Sequence, residues 1–138
     1  MKAAVRYSRY SVMAVTMLAA TATQATAETL SFKADLAPVA GTQSKASGTV
    51  EATYDTSTKK LTWRGNYEGI GTYATAASMY GPSNNIVVRL RSIDSPFEGT
   101  AIVSEKQAPD LIASRWFFVL GTAGYPNGEL RGALKPAN

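Results

Sequence analysis

The chain of 138 residues contains no histidine and no cysteine. Without histidine it cannot form a serine or cysteine triad of the usual kind, and it lacks the commonest protein ligand for zinc, copper and non-haem iron. Without cysteine it forms no disulfide, so packing alone must hold the fold, and thiolate metal sites are excluded. These absences remove the common hydrolase and metalloenzyme classes, and we expect neither a cofactor nor a metal.

The first 27 residues have the layout of a secretory signal. Three basic residues precede an apolar run from Val12 to Ala20, and Ala25-Thr26-Ala27 follows as a cleavage sequence. The run is shorter than the roughly 20 residues that span a bilayer, so we expect cleavage before Glu28 and no membrane span in the mature chain. The sequence thus predicts a leader at 1–27, one domain at 28–138, and a periplasmic or secreted location.

Charge is nearly balanced once the leader is set aside. The chain has 14 basic and 10 acidic residues, but Lys2, Arg6 and Arg9 lie in the leader, which holds no acidic residue. The remaining basic residues are scattered, apart from the pairs Lys59-Lys60 and Arg89/Arg91. Nucleic-acid binding requires a concentrated basic patch, so we expect no nucleic-acid partner.

Apolar and polar residues alternate with a period of two in short runs that are separated by glycine, proline, asparagine and aspartate. This pattern is typical of an antiparallel sheet with one buried face, and it predicts a sandwich or flattened barrel. Glu105 to Ser114 is the only expected helical piece, since Pro109 is allowed near a helix start. The predicted strands, about seven, are Thr29–Leu36, Gly48–Tyr54, Leu61–Tyr67, Ile86–Arg91, Gly99–Ser104, Arg115–Leu120 and the strand after Gly128.

Carboxylates are the only side chains left that can support catalysis. Two of them held roughly 5 to 9.5 Å apart can hydrolyse a glycosidic bond. Asp94 and Glu98 lie close together in a predicted loop, and Asp35, Glu51 and Asp55 lie at strand ends. Solvated surface charge is the commoner interpretation of all five, so a carboxylate-only glycan hydrolase is retained as an alternative function.

The most specific motif runs from Tyr125 to Leu134, where a proline-glycine turn leads into the last strand. Glu129 and Arg131 occupy alternate positions, so we expect them on the same side, where they can pair or reach a cross-strand partner. Gly132 suits a close approach of two backbones. We expect a structural role for the motif, whose residues are Pro126, Asn127, Gly128, Glu129, Arg131 and Gly132.

Three tyrosines on predicted loops, Tyr73, Tyr80 and Tyr125, are candidates for a contact surface. Tyrosine presents an apolar ring and a polar hydroxyl, which suits an aromatic binding edge for a protein or a glycan. Because two of the three lie between Thr72 and Asn85, that segment is the preferred contact region. Tyrosine is also common in loops without any binding role.

The motif of Tyr125 to Gly132 resembles the CHRD domain, the module named after chordin and found in many bacterial secreted proteins. The resemblance covers nearly all of the chain after the leader. It implies an all-β, immunoglobulin-like barrel, sometimes compared with the copper-zinc superoxide dismutase fold, and no general catalytic activity. The supporting segments are Ala34-Asp35-Leu36, Ala46-Ser47-Gly48-Thr49-Val50, Tyr54-Asp55, Lys60-Leu61-Thr62-Trp63 and Ala76-Ala77-Ser78-Met79-Tyr80-Gly81-Pro82.

The chain departs from this family at its histidines. Family members typically carry a His-x-His-Gly sequence where this chain has Ser78, Tyr80 and Gly81, and a third histidine where it has Gly121. If those histidines bind metal or react in relatives, this chain has lost that ability. We hypothesise that Tyr80 has turned a polar site into a packed or aromatic one.

Together these observations predict a non-catalytic, extracytoplasmic interaction module that binds an unidentified protein or cell-envelope component through loops on a rigid sheet. Two alternatives remain open. The glycan hydrolase requires two carboxylates that converge in a cleft, one with a strongly displaced pKa. A structural envelope protein without a specific ligand predicts no large apolar patch and no sizeable pocket.

Overall fold

The computed structural model describes residues 28–137, so the predicted leader at 1–27 lies outside the described residues. Nine strands and one helix make up this part of the chain. Their bounds are β1 (Thr29–Pro38), β2 (Ser47–Asp55), β3 (Lys60–Glu68), β4 (Ala74–Tyr80), β5 (Ile86–Arg89), β6 (Phe97–Ile102), α1 (Ala108–Ile112), β7 (Phe117–Thr122), β8 (Leu130–Ala133) and β9 (Lys135–Pro136).

All strands pair antiparallel in one sheet with the order β5-β4-β7-β8-β1-β2-β3-β6, and β9 also pairs with β1. The long strand β1 joins the two halves of the sheet. Its first eight residues pair with β2, whereas Ala37 and Pro38 pair with β8. The sheet therefore folds around its own core and nearly closes into a barrel, with β5 and β6 as its two free edges. The predicted all-β class is confirmed.

The core fills the interior of this barrel because the predicted alternation holds along the long strands. Phe32, Ala34 and Leu36 of β1 are buried between exposed neighbours, and on β3 Leu61 and Trp63 are buried in the same way. The helix adds the fully buried Leu111. Such dense apolar packing is what stabilises a small domain without disulfides.

The strand count differs from the prediction mainly because of β4. It lies within Thr72 to Asn85, which was predicted to be a loop, since its alanine, threonine and serine residues show no apolar alternation and alanine has low strand propensity. Pairing with β7 on one side and β5 on the other makes it a strand regardless. Within residues 28–137, no helix is long and apolar enough to cross a membrane.

Candidate functional site

The three candidate tyrosines do not form one surface. Tyr73 immediately precedes β4 and Tyr80 ends it, so the strand separates them by about 20 Å. The loop of Tyr125 lies beside Tyr73, because the Ala123 N–H donates a hydrogen bond of 3.0 Å to the Tyr73 carbonyl. The structure therefore brings Tyr73 and Tyr125 to one end of the barrel and leaves Tyr80 at the other.

The preferred contact region, Thr72 to Asn85, is likewise not one loop. Ala77, Ser78 and Met79 are buried in the middle of β4. Alternate residues of this strand face the interior, since Met79 is the register partner of the buried Phe118 on β7. Only the flanks of the segment are available for contact.

Tyr80 lies on the outer surface of the sheet in what we call the outer stack, formed by Tyr80, Phe117 and Arg131. The rings of Tyr80 and Phe117 are parallel, with 5.3 Å between their centroids and 7° between their planes. The Arg131 Cζ atom lies 3.9 Å from the centroid of the Phe117 ring, which is a cation–π contact. Three consecutive strands, β4, β7 and β8, thus each supply one planar group.

The outer stack continues onto β5. Ile86 is the register partner of Tyr80, and 41% of its surface is exposed. Val119, the register partner of Arg131, is half-buried on β7. Aromatic side chains and arginine are enriched at protein interfaces, whereas lysine and glutamate are depleted there. The composition of this face is therefore that of a contact surface.

The positions at which the resemblance implies histidines, Ser78, Tyr80 and Gly121, lie on β4 and β7, two of the strands of the outer stack. Ser78 and Tyr80 are two residues apart on β4, and Gly121 on β7 is the register partner of Ala76. A Cβ atom on Gly121 would lie 2.8 Å from the Pro126 carbonyl oxygen, so the position has no room for a side chain. Tyr80 is packed against Phe117, which is the arrangement that the aromatic hypothesis requires. Among residues 28–137 there is no cluster of acidic side chains that could hold a metal.

Glu129 is the most deeply buried charged side chain that the sequence singled out, with 2% of its surface exposed. The Ser44 hydroxyl donates a hydrogen bond of 2.7 Å to Oε2, and the Thr122 hydroxyl donates one of 2.7 Å to Oε1. Tyr125 supports the same loop, since its hydroxyl accepts a hydrogen bond of 3.2 Å from the Gln43 N–H. The arrangement holds the β1–β2 connection against the β7–β8 connection and leaves Glu129 enclosed.

Glu129 and Arg131 therefore do not pair, contrary to one of the expected arrangements. The Glu129 N–H donates to the Leu120 carbonyl, although the register partner of Leu120 is Leu130. Glu129 and Leu130 thus both lie opposite Leu120, which is the pattern of a β-bulge. Side chains therefore do not alternate between the two faces of the strand at that point. Arg131 continues on the exposed face while Glu129 turns inward. Ser44 is 85 residues from Glu129 and Thr122 is seven residues away across a predicted loop, so no sequence pattern indicated their contact with Glu129.

The carboxylates that a glycan hydrolase would need lie on the outer face of β2, β3 and β6. Arg64 is the register partner of both Glu51 and Glu98. Neighbouring strands are about 4.8 Å apart, so the backbones that carry Glu51 and Glu98 lie about 10 Å apart, on either side of β3. Arg64, on β3, lies between the two strands that carry them. Asp94 does not line this groove, whose volume is about 630 Å³.

A carboxyl group that acts as a general acid needs a raised pKa, but the two carboxyl groups whose pKa is clearly shifted, Asp55 and Glu105, have a lowered pKa. Hydrogen bonds from the Ser57 hydroxyl and then from the Thr58 and Ser57 backbones lower the pKa of Asp55. The hydrogen bond and charge of Lys59 lower the pKa of Glu105. Both changes favour the ionised carboxylate, which stabilises surface turns and provides no proton donor.

The family model of the CHRD domain matches residues 18–134, which include every strand from β1 to β8. No curated protein and no solved structure matches the chain.

Proposed function

Because the chain belongs to the CHRD domain family, we propose that it is a non-catalytic interaction module that acts outside the cytoplasm and binds a protein or a cell-envelope component. Domains of this family are in general non-enzymatic and typically extracellular. A periplasmic or secreted location fits the predicted leader at 1–27.

The outer stack is the observation that supports this proposal most directly. Phe117 lies on the outer face of β7, half-buried between Tyr80 and Arg131. A stacked pair of aromatic rings with a guanidinium group offers a flat, rigid and partly apolar contact surface, and rigid aromatic anchors bind at little cost in conformational entropy. A partner with a planar or anionic group complements it.

The two alternatives have less support. The hydrolase requires two converging carboxylates, and Glu51 and Glu98 are separated by Arg64. A structural envelope protein without a specific ligand predicts no large apolar patch and no sizeable pocket, whereas the outer face of β2, β3 and β6 carries a groove of about 630 Å³ and the outer stack partly exposes two stacked aromatic rings. The interaction module is therefore the function that these contacts favour.

Site-specific crosslinking in living cells tests this proposal. A photoreactive residue at Ile86, beside the outer stack, is compared with one at Ser57, in the exposed turn between β2 and β3. We expect Ile86 to give one specific adduct, and we expect Phe117→Ser together with Arg131→Gln to abolish it without unfolding the protein. Identical adducts from both positions, or none from Ile86, would overturn the proposal.

A further inference from the structure

The barrel is left open between its two edge strands. Within residues 28–137, β5 pairs only with β4 and β6 pairs only with β3. A groove of about 640 Å³, which we call the seam, runs between these edges. Val88, Arg89 and Arg91 line one side, Gly99 and Thr100 line the other, and Trp63 of β3 lies between them. Its volume is in the range of ligand-binding sites.

Hydrogen bonding shows which backbone groups of β6 face the seam. The pairing of β3 with β6 places Lys59 opposite Val103, and the Val103 N–H donates to the Lys59 carbonyl. Along an antiparallel pair of strands, residues that hydrogen-bond to the residue opposite them alternate with residues whose N–H and C=O groups point away from the partner strand. The backbone groups of Glu98, Thr100 and Ile102 therefore point away from β3, into the seam.

The same alternation holds on the other side. The Leu90 N–H donates to the Ala77 carbonyl, so Leu90 and Val88 face β4. The intervening Arg89 directs its N–H and C=O away from β4, into the seam. The outward-pointing backbone groups of β6 on one side and those of Arg89 on the other thus border one groove, which is an arrangement that accepts an added strand.

Trp63 is the second observation that points to a ligand. Only 4% of the residue is exposed, and its Nε1 atom is buried without any hydrogen-bond partner. The indole edge lies over Gly99 of β6, where a Cβ atom would come within 3.1 Å of Nε1. A buried donor without an acceptor is unfavourable, so an acceptor carried by a bound segment would stabilise it.

Charge defines the kind of segment that fits. Glu98, on the β6 side of the seam, has Arg64 as its register partner on β3 and forms no ion pair among the described residues. Arg89 has the neutral Ser78 as its register partner, and neither Arg89 nor Arg91 forms an ion pair among the described residues. Both arginines are exposed at the outer lip of the seam. This lip complements acidic side chains.

We propose that the seam binds an extended segment of a partner protein, in which apolar and acidic residues alternate, as an added strand along β6. Alternate side chains of a strand point to opposite faces. The apolar ones would face Val88 and Trp63 on the inside, and the acidic ones would face Arg89 and Arg91 on the outside. This inference rests on the proposed function in one respect, that the protein binds a partner. The surface it assigns, the seam, is different from the outer stack.

Nuclear magnetic resonance of the exported protein tests this with a capped six-residue peptide of alternating valine and glutamate, since β6 has six residues. The chain has two tryptophans, so it gives two indole N–H signals, and Trp63→Phe identifies that of Trp63. We expect this signal to shift on titration while that of Trp116 stays. A peptide of valine and lysine should give no shift. Arg89→Gln with Arg91→Gln should raise the dissociation constant by about threefold to tenfold.

Thr100→Pro removes one N–H that faces the seam and none that pairs with β3, so the fold should persist while peptide binding is lost. Thr100→Val keeps the N–H and should bind as the unaltered protein does. Equal binding by Thr100→Pro, equal binding of the lysine peptide, or no shift at Trp63 would overturn the inference. A shift of the Trp63 indole signal that appears without peptide and grows with protein concentration would also overturn the inference, because the seam would then bind a second copy of this chain.

The two proposals fail separately. Absence of a specific Ile86 adduct when the outer stack is unaltered, with intact peptide binding, would reject the outer stack alone. An intact Ile86 adduct with no peptide binding would reject the seam alone.

Discussion

Thr122 donates its hydroxyl hydrogen to the Oε1 atom of Glu129 across 2.7 Å, and both side chains are almost completely buried. Ser44 donates to the other oxygen of the same carboxylate. One side chain therefore links the segment before β2, the end of β7 and the start of β8. A carboxylate enclosed in this way contributes through its hydrogen bonds, because it is shielded from water.

Glu129→Ala should lower the free energy of unfolding by about 1–3 kcal/mol, because it leaves the buried Thr122 hydroxyl without its acceptor. Glu129→Gln keeps one carbonyl oxygen and should lose less. Urea denaturation measures both. Glu98→Gln, on the exposed face of β6, is the matched control and should stay within about 0.5 kcal/mol of the unaltered protein. An unchanged urea midpoint for Glu129→Ala would contradict the structural role.

Gly132→Ala should destabilise the fold because β8 passes against the backbone of β1 at that point. A Cβ atom on Gly132 would clash with the carbonyl oxygen of Asp35, which is backbone and cannot rotate away. We expect a loss of about 1–3 kcal/mol, as for other overpacked positions, measured by thermal unfolding. Gly71→Ala is the control, since a Cβ there meets nothing within 4 Å. Equal melting temperatures for the two variants would show that β8 can move away from β1.

The sequence was sufficient to predict the fold class because alternation of apolar residues directly reports a half-buried strand. This held for Phe32, Leu61 and Trp63, which are all in the core. It failed for β4, whose small residues become a strand only through pairing with β7 and β5. Local pattern cannot report a strand that tertiary pairing alone specifies.

The candidate site was less predictable, since it depends on contacts between residues that are remote in sequence. Tyr80 was singled out, but Phe117 and Arg131 join it only through the strand order β4-β7-β8. The inward turn of Glu129 depends on a bulge opposite Leu120, and nothing in the motif itself distinguishes a bulge from a regular strand. The seam follows from the incomplete closure of the sheet between β5 and β6, which no single segment encodes.

Ser114→Gly should stabilise the protein by about 1 kcal/mol. Ser114 follows α1 with a positive φ of 63°, and the Arg115 N–H donates to the Asp110 carbonyl, which is the hydrogen bond of a Schellman ending. Glycine adopts this conformation without the steric cost that a Cβ atom brings. Ala113→Gly is the matched control: its φ is −83°, so glycine gains nothing there and should destabilise. A lower melting temperature for Ser114→Gly would contradict the prediction.

Acid should weaken the fold partly through the turn between β2 and β3. The Ser57 hydroxyl donates a hydrogen bond of 2.7 Å to Asp55 Oδ1, and the backbone N–H groups of Ser57 and Thr58 donate to the same atom. They lower the pKa of Asp55 below its ordinary value of 3.8. Because the folded protein binds the proton less well than the unfolded chain does, this contribution is complete above the unfolded pKa and is lost as the pH falls through the folded pKa.

Asp55→Asn removes that dependence. We expect its melting temperature to lie below that of the unaltered protein at about pH 7 and the difference to narrow at about pH 2.5, where Asp55 is increasingly protonated. Ser57→Ala keeps the Asp55 carboxylate but removes the hydroxyl that donates to it. Its melting temperature should therefore lie below that of the unaltered protein by a smaller amount at about pH 7, and this difference should also narrow at about pH 2.5. Circular dichroism melts of the three proteins at both pH values measure this. A difference that is the same at both values would mean that the hydrogen bonds of Asp55 contribute equally in its protonated and ionised forms, and the lowered pKa would then be wrong.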